Sequence, residues 1–160
     1  MTGPLFGLAL STALACGLSA GVLFAFSAFV MPALDQLDPG ASIEAMQAIN
    51  EKAVTPAFMI VLMGGALLCV ALVVVAVRSW SDPSSPWLAA GAGVFLVGVI
   101  GLTMGKHVPM NDALSTVDAH ASGAAARWSD YTGTWTPLNH LRAAAGAIAT
   151  GLIVVGMTTG

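Results

Sequence analysis

A few residues of this chain can move a proton or hold charge in an apolar setting, and their spacing suggests one site. His107 follows Lys106 at the end of one hydrophobic run, and Asn111 lies one helical turn beyond it. Asn139, His140 and Arg142 stand together at the start of another run. Imidazole titrates near pH 6.5 before its surroundings act, so His107 or His140 could serve as a general base. Asn139, Asn111 and Arg142 offer N–H donors of the kind that hold a developing oxyanion. Trp128, Tyr131 and Trp135 recur at steps of three and four, and could form a flat wall for a planar ligand. A metal could draw on His107, His140, Glu51 and Asp112. The chain shows no His-x-x-x-His or Glu-x-x-His spacing, so metal is not the favoured reading.

The elements that must position these groups are membrane helices. The 160 residues are 57% hydrophobic and only 8% charged, with a mean hydropathy of +0.86. A soluble chain is about one-quarter charged, and thirteen charged side chains (five basic, eight acidic) cannot clothe a soluble fold of this length. A length of 160 residues points to one domain, 1–160. A net charge of −3 and the absence of any Lys/Arg run exclude a nucleic-acid partner. Cys16 and Cys69 sit in apolar stretches and read as buried free thiols. Leu14-Ala15-Cys16-Gly17 has the look of a lipoprotein cleavage site, yet no basic residue precedes it and the apolar run continues past it. It therefore reads as part of a retained first helix.

Four apolar segments, about 5–30, 57–77, 87–104 and 138–157, approach the roughly 20 residues needed to cross a bilayer. The expected fold is an all-α, integral membrane four-helix bundle. Gly17/Gly21 and Gly101/Gly105 have the spacing that allows helices to approach closely in lipid. Four crossings put both long connections on one membrane face, and every carboxylate except Asp82 belongs to that face or its helix ends, as do all three His. Arg78 in the short turn, against the acidic first connection, places both termini in the cytoplasm of a multi-pass cell-membrane protein.

Both long connections are themselves patterned. Ile43, Met46, Ile49 and Ala53 predict a short amphipathic helix in the first. Leu114, Val117, Ala121, Ala124, Trp128 and Tyr131 predict another in the second, with Asn111 as its N-cap. Together they would cover the bundle mouth, or rest among headgroups. In the last segment, Thr136-Pro137 reads as N-cap and first helical position. From there Leu141, Ile148, Leu152 and Val155 form a lipid-facing stripe, and Asn139, Ala143, Gly146 and Thr150 the packed face. Arg142 is then a functional candidate, a residue snorkelling to headgroups, or a structural partner of Asp130, Asp112 or Glu51. By composition the aromatic triplet reads first as an interfacial belt.

Pro109-Met110-Asn111, followed by Trp128-x-x-Tyr131-x-x-x-Trp135-x-x-x-Asn139-His140-x-Arg142, resembles the anthrone oxygenase-like family of small four-helix membrane proteins. The resemblance implies an oxygenase that converts a planar, hydrophobic polyketide-type carbon acid to a quinone, with O2 as co-substrate and no established cofactor. It implies His107, His140, Asn139 and Arg142 as the catalytic set and Asn111, Trp128, Tyr131 and Trp135 as the substrate wall. An anthrone enolate can reduce O2 directly, so a base, oxyanion donors and a dry cavity would suffice. The rival class is a non-enzymatic protein of the lipid bilayer, either a small-molecule or lipid binder or a subunit of a larger assembly. The sequence also leaves a homo-oligomer open.

Overall fold

The computed structural model describes residues 3–159, which fold into five helices with no strand among them. We number them α1 (Gly3–Leu34), α2 (Pro39–Ala53), α3 (Pro56–Arg78), α4 (Ser85–Ser115) and α5 (Ala124–Thr159). All but α2 are long and apolar enough to span a membrane, which bears out the all-helical membrane bundle. The lengths carry a second message. At 1.5 Å per residue the 36 residues of α5 run to roughly 54 Å, far beyond a hydrocarbon layer of about 30 Å. The excess of α1, α4 and α5 gathers at the face that carries the long connections, where α2 lies across them.

Two expectations fail here, for related reasons. The second connection holds no separate amphipathic helix: α4 runs on to Ser115, α5 begins at Ala124, and only 116–123 is non-helical. Asn111 is inside α4, not an N-cap. Leu114, Ala124, Trp128 and Tyr131 are buried, but Ala121 is exposed. The stripe looked continuous because the ends of both helices lean on the same α2. Likewise, Thr136-Pro137 does not start a helix, since Pro137 lies within α5. A mid-helix proline leaves the carbonyl four residues earlier without its N–H partner. Pro137 and Gly133 both lie on the exposed side of α5, where water or headgroups can take that role. The short helix of the first connection is present as α2, with Ile43 and Met46 fully buried beneath it.

Packing forms two cores. The transmembrane core joins Cys16, Leu23, Leu62, Leu72, Phe95, Val99 and Ile153, among others, from α1, α3, α4 and α5. Cys16 and Cys69 are free thiols whose sulfurs touch at 3.7 Å. The second core lies under α2 and joins Met31, Leu34, Ile43, Met46 and Leu114 with Trp128, Tyr131 and Trp135. The glycines that permit close approach are not all those that the spacing named. Gly17 faces Thr150 at ordinary contact distance, but Gly21 and Gly105 meet nothing and Gly101 meets only its own helix. Among the membrane-spanning helices the tightest positions are on α4 and α5. A Cβ on Gly91 would lie 2.9 Å from the Ala149 carbonyl, and one on Gly146 would lie 2.9 Å from the Ala20 methyl. Between α3 and α4, Asp82 accepts hydrogen bonds from the Ser84 hydroxyl (2.7 Å) and N–H (2.8 Å), which hold its carboxyl below the usual carboxylate range.

Without a hydrophobic force between helices in lipid, such backbone-close contacts carry much of the association. Gly146→Val should therefore cost about 1–3 kcal/mol through overpacking. Gly151→Ala, which meets open space, should stay within about 0.5 kcal/mol of the parent. Thermal or denaturant unfolding in detergent reads both, and equal stabilities would show that this contact is not limiting.

Candidate functional site

Between the two cores, the polar residues of α4 and α5 border a cavity of about 770 Å³. That volume lies within the range of small-molecule sites. Its walls come from α1, α2, α3, α4 and α5, and most of its lining is apolar.

The α4 wall is set by π-helical turns over Phe95–Gly101 and Thr103–His107, a departure from the regular ladder that often marks functional positions. Thr103 donates its hydroxyl to the Val99 carbonyl at 2.6 Å. His107 is only 1% exposed and stands edge-on to Trp135 at 5.0 Å. Its Nδ1 lies 3.3 Å from the Leu102 carbonyl, and a carbonyl can only accept, so the ring proton belongs on Nδ1. In the neutral ring Nε2 is then the lone-pair nitrogen, and it has no hydrogen-bond partner. One helical turn on, Asn111 Oδ1 accepts from both Tyr131 Oη (2.9 Å) and Trp135 Nε1 (3.0 Å). Its amide N–H donors are left without a protein acceptor among the described residues.

On α5, Asn139 and Arg142 share a face at a spacing of three. Asn139 is completely buried. It donates Nδ2 to the Leu23 carbonyl (2.7 Å) and the Ser27 hydroxyl oxygen (2.9 Å), just where α1 passes into its own π-helical turn at Phe26–Val30. Because the Leu23 carbonyl accepts only, the amide orientation is fixed and Oδ1 remains, buried and without a partner. The expectation that Asn139 donates to an oxyanion is thereby corrected: its donors are already used, and what it offers the cavity is an acceptor. Arg142 is 5% exposed, with Nε buried and unpartnered. Neither structural alternative holds for it. It does not reach headgroups, and among the described residues the ion pairs are Lys52–Glu51 and His120–Glu44, both on exposed side chains. A buried, unpaired guanidinium is costly and becomes favourable once an anion or strong acceptor arrives.

The cavity thus unites His107, Asn111, Trp135, Asn139 and Arg142. It does not include His140. One residue of rotation, about 100°, turns His140 away from Asn139, and it is exposed in a separate groove with Ala20, Phe24 and Ala144. Trp128 and Tyr131 are also absent from the wall. They are buried behind it, stacked in series with Trp135, and so are neither an interfacial belt nor a ligand surface. Trp128 donates Nε1 to Asp35 at 2.8 Å, fastening α5 to the end of α1. With His107 and His140 apart, the metal set of the sequence is not assembled. Among the described residues no three His, Cys, Asp or Glu side chains cluster to hold an ion.

Sequence reasoning missed Thr103 and Asn50, which also line the cavity. Thr103 precedes His107 by one turn, and Asn50 follows Met46 by one turn on the buried stripe of α2, so the same helical spacing could have found both. Asn50 Nδ2 is buried without a partner.

Replacing Asn139 by Leu removes two interhelical hydrogen bonds and should lower stability by about 1–3 kcal/mol. Removal of the exposed imidazole in His140→Leu should change it by less than about 0.5 kcal/mol. Unfolding in detergent separates these, and an unchanged Asn139→Leu would remove the α1–α5 tie from the account.

Comparison with curated proteins and with solved structures finds no match. A sequence model of the anthrone oxygenase family does match, over residues 52–152. That span contains α3, α4, most of α5 and every polar residue of the cavity wall except Asn50, and it exceeds half of the chain. The chain belongs to the anthrone oxygenase family.

Proposed function

We propose that the protein is a membrane-embedded oxygenase that oxidises a planar, anthrone-type carbon acid with O2 inside this cavity. The observation that carries the reading is the set of unpartnered polar atoms, His107 Nε2, Asn139 Oδ1 and Arg142 Nε, which belong to residues lining one apolar cavity. A buried polar atom without a partner is expensive, and a ligand that fills all three recovers that cost.

In this reading His107 Nε2 takes a proton from the acidic methylene of the substrate. The electron pair moves onto the ring carbonyl, and the resulting enolate oxygen is held by Arg142, with the Asn111 amide as a second donor. Asn139 Oδ1 accepts from a substrate hydroxyl and sets its orientation. The enolate gives one electron to O2, and the carbon radical and superoxide combine to a peroxide at the former methylene carbon. Protonation by His107 and loss of the remaining C–H proton break the O–O bond and leave a second carbonyl. One methylene and one O2 become one quinone carbonyl and one water, with no external reductant. The low-dielectric cavity strengthens each charge contact. O2, itself apolar, dissolves readily in the surrounding hydrocarbon.

Purified protein should consume O2 with anthrone and release the quinone. His107→Gln should lower kcat by about 10²–10⁴ if the base is lost, and Arg142→Met by about 10²–10³ if an oxyanion donor is lost. The rate should rise with pH as His107 gives up its proton, and the His107→Gln variant should lose that dependence. His140→Ala and His120→Ala should turn over at the parent rate. Chelation that leaves the rate unchanged fits the cofactor-free scheme, and a stoichiometric metal whose removal abolishes turnover overturns it. A His107→Gln variant as fast as the parent overturns the role of the base.

We also propose, from Arg78 in the short turn against the acidic first connection, that this turn and both termini lie on the cytoplasmic side of the cell membrane. A reporter fused at Asp82 should then read inside and one at Ala119 outside, and the reverse pattern would invert the protein.

A further inference from the structure

We propose that the substrate reaches the cavity sideways from the bilayer, through a seam between the N-terminal half of α3 and the C-terminal half of α4. This rests on the oxygenase reading and goes on to name its substrate pool: a planar apolar molecule dissolved in the leaflet on the α2 side.

The seam is a consequence of helix packing. α3 packs closely against Ser85–Gly101 of α4 and at most sparsely against the π-helical and terminal turns that follow. Where the helices part, Met104 and Val108 border the cavity and are nevertheless 58% and 37% exposed. Met59 and Met63 of α3, partly buried, border the same cavity. All four are apolar, and methionine is the side chain that most easily changes shape to let a ligand by. No charged or hydrogen-bonding side chain would have to be stripped of water there.

Its depth matches lipid rather than water. At 1.5 Å per residue, Met104 lies roughly 28 Å along α4 from Ser85, and Met59 roughly 28 Å along α3 from Arg78. Both therefore fall at the far edge of a hydrocarbon layer about 30 Å thick. Exposed Lys106 and Lys52 stand near that level, as headgroup-facing residues do. The route through the second core is blocked by contrast, and toward water the cavity is bordered by exposed Lys52 and Val54 at the end of α2. Ile43 and Met46 seal α2 against the second core, and Asn111 ties α4 to Tyr131 and Trp135 across the mouth. A path through that core requires it to open, and one past the end of α2 brings a planar apolar molecule by the charged Lys52, whereas the side path requires only methionine rotation.

The test uses the full protein in lipid vesicles with anthrone, a sulfonated anthrone confined to water, and anthraquinone as a non-reacting binding probe. At fixed total anthrone, added lipid should lower the rate, because the rate follows the mole fraction in the bilayer, and the sulfonated compound should be a poor substrate. The double variant Met104→Phe/Val108→Phe should slow anthraquinone association, read by tryptophan quenching, on the order of tenfold. Its equilibrium quenching and thermal unfolding should match the parent. Val97→Phe, on the exposed surface of α4, should leave association unchanged. Efficient turnover of the sulfonated compound, or association that ignores the double variant, overturns the lateral route while leaving the activity standing. Quenching that depends on the seam, without turnover of anthrone, sinks the activity alone.

Discussion

Inside hydrocarbon a polar atom must find its partner within the protein, and that constraint organises this molecule. Thr12, Thr103 and Thr150 return their hydroxyls to the carbonyl one turn back in their own helices. Asn139, which has too many donors for that solution, spends both on α1, and so fixes how α5 sits against the Leu23–Ser27 turn. Among the described residues five buried side-chain atoms escape the rule, and four of them belong to residues lining the cavity: Asn50, His107, Asn139 and Arg142. The site is the place where an otherwise thrifty hydrogen-bond network was left incomplete.

The aromatic series on α5 links that site to the rest of the fold. Trp128 is held by Asp35 at the end of α1, while Tyr131 and Trp135 are both held by Asn111 on α4. One amide oxygen therefore sets the position of two rings and of the α4 segment that carries His107. Trp135 in turn meets Phe26 and His107, so the orientation of the imidazole depends on contacts with three helices. A site built on helix surfaces in this way is more rigid than one built on loops, which suits a reaction whose catalysis rests on placement.

Much of this was legible in the sequence, because helical periodicity is local. Hydrophobic runs gave four crossings, crossing parity put both long connections on one face, and a rotation of 100° per residue turned Asn139 inward and Leu141 and Ile148 outward. The same arithmetic, started at Pro137, placed the beginning of α5 fourteen residues late: the last segment was expected from 138 and begins at Ala124. Local rules treat a proline as a boundary, and only the exposed side it occupies makes it tolerable within a helix. His107 and His140 were equivalent candidates by type and by nearness to the mouth. What separated them was which neighbouring helix each one faces, and no spacing along a single chain states that.

The sequence by itself determined the membrane class, the bundle and the end of it that is polar, since these follow from composition and period. The tertiary structure decided which atoms remain free to do chemistry. Asn139 reads as a donor until the Leu23 carbonyl takes its N–H groups and leaves the oxygen. Arg142 has three readings until burial without a carboxylate removes two. A hydrogen bond between helices can join residues more than a hundred positions apart, as it does Asn139 and Leu23. Their pairing depends on how whole helices pack, and packing is not written in any local pattern.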